Sequence, residues 1–106
     1  MDSKKTSEKI DGEMQLLRRN IRALEAEKQE HTKALEKAQR ERKKSAYAAH
    51  SEKDAKAKER LTKAHTAQRE TELALEDLEG AISEGGAMFE ALEIEWRAAL
   101  RREDLE

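Results

Sequence analysis

The side chains here that can do chemistry are three histidines, 24 carboxylates and 22 cations, with no cysteine. A metal site needs ligands that return to one face at fixed spacing, as in HExxH or paired cysteines. His31, His50 and His65 make no such spacing. His31 falls on an apolar row and reads as a packing residue. The glutamates recur at spacings that would suit acid–base pairs, but composition alone produces those on a helix. General acid–base work also needs a cleft that shifts a pKa and orients a substrate. There is no cysteine nucleophile, no serine elbow and no glycine-rich phosphate loop. Gly85-Gly86 lacks the strand and spacing of such a loop. The expectation is a protein that is not an enzyme, with no metal, no cofactor and no small-molecule substrate.

Two other groups of residues can carry function. Residues 37–69 hold eleven basic and four acidic groups, whereas residues 70–106 hold three basic and twelve acidic ones. Arg40, Arg42, Lys43, Lys44, Lys53, Lys56, Lys58, Arg60 and Lys63 form a basic patch that can contact phosphates, with an affinity that falls steeply with salt. Only Tyr47 could stack on a base there, so base recognition is weakly provided for. The same cations also suit an acidic protein surface. They suit equally a solvated helix face laced by Glu52–Lys56, Asp54–Lys58 and Glu59–Lys63 pairs. The second group is Met88, Phe89, Leu92, Trp96 and Leu100, which with Ala99 make one wide apolar face. Glu90, Glu93, Arg97 and Arg101 lie opposite. Tryptophan is enriched at the energetic centres of interfaces. This face can cap Ile10, Met14 and Leu17 of its own chain, join a second copy, or receive another helical protein. Its polar side carries as many acids as bases, which disfavours a membrane surface.

The elements that position these residues are helices. Residues 13–79 contain neither glycine nor proline, and the chain has no proline, valine or cysteine. Charged residues make up 43% and aromatics 3%, and seventeen alanines supply much of the apolar set. That composition belongs to coiled coils and long helices. Net charge of −2 and regular apolar spacing argue against disorder. A chain this polar buries little area along one seam, so self-association is expected.

Ile10, Met14, Leu17, Ile21, Leu24, Lys28, His31, Leu35, Ala38, Arg42, Ser45 and Ala49 alternate at spacings of four and three. That spacing places a narrow stripe on one helix face. A second seam runs Ala57, Leu61, Ala64, Gln68, Thr71, Leu75, Leu78 and Ile82. The two frames differ by five residues, more than a stutter or stammer absorbs. A break therefore falls between Ala49 and Ala57. Ser51 can cap a new helix there and Asp54 can close its capping box, leaving His50 in a turn. Folding at that point sets Ile21 against Ile82, Leu24 against Leu78, Ala38 against Ala64 and Ser45 against Ala57. The rival is one continuous helix in a parallel dimer.

Gly85-Gly86 reads as a helix stop, with a separate amphipathic helix beyond it. The expected fold is all-α: an antiparallel two-helix coiled-coil hairpin with a shorter C-terminal third helix. Residues 1–8 are frayed, 9–84 form the hairpin with its turn near 49–54, and 85–106 hold the glycine break and the third helix. Asp11-Gly12 marks an alternative, later helix start. Leu105-Glu106 fits a cloning scar and a native end alike. No stretch is apolar enough to span a membrane and no signal-peptide core follows Met1, so the expected location is cytoplasmic.

The composition and the stretch Tyr47-Ala48-Ala49-His50-Ser51-Glu52-Lys53-Asp54-Ala55-Lys56-Ala57 resemble small, mostly uncharacterised helical-hairpin proteins of bacterial and prophage genomes, which have an alanine-rich turn of similar cast. The resemblance covers residues 10 to 82 and brings no functional residues with it. The functional expectation is a non-catalytic coiled-coil interaction or assembly module, phage- or prophage-related, that binds itself or another helical protein. The alternative is a nucleic-acid-binding accessory protein that uses the basic patch.

Overall fold

A computed structural model describes residues 5–52 and 55–105. It holds two helices, α1 (Ser7–Glu52) and α2 (Ala55–Leu105). Thr6 starts α1. Its hydroxyl accepts the Lys9 backbone N–H at 3.2 Å and its carbonyl accepts that of Ile10 at 3.1 Å. The hydroxyl satisfies one of the otherwise orphaned N-terminal amides, and the carbonyl accepts the first i→i−4 bond of the helix. The helix runs without interruption through Asp11-Gly12. It continues past His50 and Ser51, so neither residue lies in a turn and Ser51 does not begin the second helix. Lys53 and Asp54, between the helices, lie outside the described residues, and so does the capping box expected there.

The third helix does not exist. α2 runs through Gly85-Gly86 to Leu105 as one element of 51 residues. The reason lies in the seam. From Ile82 the four–three spacing continues to Gly85, Phe89, Leu92, Trp96 and Ala99 without a change of frame. Each of these positions is buried or half-buried. A glycine inside a helix costs only about 1 kcal/mol relative to alanine, and packing along a continuous seam outweighs two of them.

The chain divides into two compact units: a terminal unit, Met1–Glu25 with Gly80–Glu106, and a central unit, Ala26–Glu79. Both helices contribute to each, and within each they pair antiparallel. In the terminal unit the core is Ile10, Met14 and Ala99, with Phe89, Leu92 and Trp96 packed on it. Gly85 sits where a Cβ would come within 2.9 Å of Ile21 Cγ1. Ile21 thus lies on Gly85, one seam step beyond Ile82. The glycine permits close approach and does not end the helix. Arg18 places its guanidinium 5.1 Å from the centre of the Phe89 ring, a cation–π contact.

In the central unit the buried apolar residues are Ala38, Ala57, Ala64 and Leu78. Lys28, His31, Arg42, Ser45, Gln68 and Thr71 take half-buried seam positions beside them. Lys28 pairs with Glu79 across the helices at 3.6 Å. Arg42 Nε and Gln68 Oε1 are enclosed without a hydrogen-bond partner, which is unfavourable for buried polar atoms. Among the described residues no helix is long and apolar enough to cross a membrane.

Candidate functional site

α2 carries the C-terminal face in its last stretch, from Met88 to Leu100, and the structure splits that face. Phe89, Leu92 and Trp96 turn inward onto Ile10 and Met14. Met88 remains 59% exposed and Leu100 37%. Most of the apolar bulk is therefore engaged within the chain.

One residue outside the sequence-based expectations completes the exposed part. Leu16 precedes the seam residue Leu17 and stays 59% exposed. It shares a groove with Glu13, Leu17, Asn20, Met88, Ala91 and Leu92. The floor of this groove is seam leucine and its walls are Leu16 and Met88. The Leu16-Leu17 doublet is the available signal, because one member of such a pair must leave a narrow seam. On the opposite side of the same helix pair the lining changes to Arg18, Arg22, Glu25 and Glu90 around Phe89 and Gly86. The terminal unit thus has one apolar side and one charged side.

A polar clasp joins the first turn of α1 to the end of α2. The Glu103 carboxylate accepts the Ser7 backbone N–H at 2.9 Å and also the Ser7 hydroxyl. A carboxylate there meets the positive end of the helix dipole. Its pKa is lowered, first by the Ser7 hydroxyl and then by the Ser7 amide. Arg102 donates to the Lys5 carbonyl at 3.1 Å. Lys5 itself bonds Glu13 at 2.6 Å, and this contact raises the Lys5 pKa. The Ser7–Glu103 and Lys5–Arg102 contacts link residues almost the whole chain apart and leave no local sequence signal.

The basic patch is gathered only in part. Lys44, Arg60 and Lys63 line one shallow cleft of the central unit with Glu41, Ser45, Ala64 and Ala67. Arg42 turns into the seam instead. The pKa of Glu72 is lowered chiefly by a hydrogen bond from Gln68, 2.9 Å long, with smaller contributions from Arg69 and then Arg42. Arg40, Lys43, Lys56 and Lys58 are exposed. Lys53 lies outside the described residues. His31 has its Nδ1 2.9 Å from the Glu27 carbonyl of its own helix, and His50 and His65 are exposed. Among the described residues no three His, Cys, Asp or Glu side chains converge to hold a metal.

No protein-family model matches the chain, and no curated protein or solved structure shows significant similarity to it.

Proposed function

We propose that this chain is a non-catalytic coiled-coil interaction or assembly module that presents the apolar side of its terminal unit. The observation that carries the reading is the exposure of Leu16 and Met88, 59% each, on the walls of one groove. A helix pair that already packs Phe89, Leu92 and Trp96 against its core gains little for its own fold from these two. Exposed apolar walls beside a packed core are what a further helix uses, inserting its own side chains between them. The partner class is helical: a second copy or another helical protein. A cytoplasmic location and a phage or prophage setting belong to the same proposal. They rest on the composition and on the resemblance of the 47–57 stretch.

Leu16→Asp and Met88→Asp test it. Both sites are exposed, so helicity and melting temperature should hold while crosslinked or co-purified association falls. The reading fails if both variants keep every helical partner that the wild type binds.

A second reading, nucleic-acid binding, is favoured by the cleft shared by Lys44, Arg60 and Lys63. Anisotropy of a labelled duplex decides it. Binding that weakens steeply with salt and is lost in a Lys44→Glu, Arg60→Glu, Lys63→Glu triple variant would support it.

A further inference from the structure

α2 carries a second heptad row besides the seam it buries. Gly80, Glu84, Ala87, Ala91, Ile94, Ala98, Arg101 and Leu105 follow one another at spacings of four and three. At 100° per residue these positions fall within about 100° of arc. All but the half-buried Ala98 are exposed, Ile94 at 69%. No fold requirement of a two-helix pair explains a second row of this kind. Surface helix faces are ordinarily polar, yet the only charges in this row are Glu84 and Arg101, placed symmetrically about its middle.

The row is complementary to itself when reversed. Turned end for end about the point between Ala91 and Ile94, it sets Ala91 against Ile94, Ala87 against Ala98, Glu84 against Arg101 and Gly80 against Leu105. Each small residue meets a small or a large one, and each charge meets its opposite. Antiparallel coiled coils pair the two kinds of seam position with each other in this way. A parallel pairing would put Glu84 on Glu84, Arg101 on Arg101 and Ile94 on Ile94, with like charges in two layers. The alanine and glycine layers allow close backbone approach, and Ile94 supplies the bulk for the centre. An isologous two-fold contact, with the same patch on both partners, is the commonest way in which a chain associates with itself.

We propose that residues 80–105 of α2 pair antiparallel with the same residues of a second copy, through the row centred on Ala91 and Ile94. The proposal rests on the interaction-module reading and adds to its groove a self-contact on the neighbouring face of α2, sharing Ala91 with the groove lining.

Sedimentation equilibrium of the full chain should show a monomer–dimer equilibrium. Glu84→Arg and Arg101→Glu each put like charges into two layers, and each should weaken the dimer by on the order of tenfold or more. An equimolar mixture of the two variants restores opposite charges in every layer and should dimerise as well as the wild type. Orientation is read from disulfides, since the chain has no cysteine of its own. Ala91→Cys chains mixed with Ile94→Cys chains should give mainly mixed disulfides. A wild-type chain that stays monomeric to near-millimolar concentration overturns the proposal. So does a dimer indifferent to both charge reversals, or one that gives only like-variant disulfides. A monomer that still binds another helical protein through Leu16 and Met88 would defeat this inference and leave the interaction module standing.

Discussion

The two units use one geometry and fill it with different side chains. In the terminal unit Ile10, Met14, Phe89, Leu92 and Trp96 close around Ala99, and Ile21 lies on Gly85. In the central unit alanines occupy most of the buried positions while Arg42, Gln68 and Thr71 share the seam. Burial contributes in proportion to apolar area, so the first arrangement supplies most of the stabilisation. Polar seam residues contribute less and can fix register at a cost in stability. The same heptad repeat can therefore hold a chain together in one place and merely align it in another.

The largest expected effect comes from removing the aromatic contribution. Trp96→Ala should lower the stability measured by denaturant titration by about 3 kcal/mol, the low end for an aromatic truncation because Trp96 is only half-buried. Leu61→Ala, at a half-buried seam position of the central unit, should cost about 2 kcal/mol or less. Equal losses would remove the distinction between the units.

The two adjacent glycines sharpen it. A Cβ added at Gly86 would meet nothing within 4 Å, whereas one added at Gly85 would meet Ile21 Cγ1 at 2.9 Å and Cδ1 at 3.3 Å. Gly86→Ala should raise stability by about 1 kcal/mol, the helix-propensity gain. Gly85→Ala has the same gain but must displace Ile21, and overpacking of a core costs about 1–3 kcal/mol. Thermal melts should rank Gly86→Ala above the wild type and Gly85→Ala at or below it. Ile21→Ala, which removes both Cγ1 and Cδ1, should cost less beside Gly85→Ala than in the wild type. If both glycine-to-alanine changes stabilise alike, the close approach is absent in solution.

These glycines also mark the limit of what is legible in the sequence. The seam residues can be read from spacing alone, because burial follows period and every described member of both rows is buried or half-buried. The end of the second helix cannot be read from local propensity, which makes Gly85-Gly86 a stop. The continuing frame from Ile82 to Ala99 carries the stronger tertiary signal. Register departs from expectation by one seam step at Ile21. Alanine layers discriminate poorly between neighbouring registers, and the close fit of Ile21 on Gly85 has no signature until both helices are in place. The Ser7–Glu103 clasp joins residues 96 apart, and nothing local announces such a pair. On the candidate site, the apolar C-terminal face is visible in the sequence but its division is not. Which of its members turn inward depends on the seam that runs through Gly85.

Hydrogen exchange resolves the comparison residue by residue. Amides at 38–48 and 57–64 should exchange faster than those at 14–24 and 85–96, by on the order of tenfold or more if opening is local. The physical cause is the small buried area of the Ala38, Ala57 and Ala64 layers, with Arg42 Nε and Gln68 Oε1 enclosed but unpaired. Uniform protection would mean that both units open together and that their different cores do not set local stability.

The smallest effect is electrostatic, and each unit supplies one carboxylate to test it. Glu103 is held below the ordinary glutamate pKa by the Ser7 hydroxyl and amide. Glu72 is held below it by the Gln68 amide, and Arg69 and Arg42 add to this. A carboxylate whose pKa is lower in the folded state binds fewer protons there than in the unfolded chain. Its stabilisation is thus fully present above the unfolded value of about 4.3. It fades as pH falls through the depressed folded value. Glu103 is exposed and Glu72 half-buried, and each effect on global stability is slight and is better read by carboxyl NMR titration. Ser7→Ala removes the larger of the two contacts at Glu103 and should move that midpoint up towards the ordinary value. The Glu72 midpoint should not move, because none of its partners is touched. Gln68→Leu should do the reverse. If Glu103 titrates as an ordinary glutamate in the wild type, the clasp between the first turn of α1 and the end of α2 does not persist in solution. The terminal unit would then be held by its apolar core, Ile10, Met14 and Ala99 with Phe89, Leu92 and Trp96 packed on it.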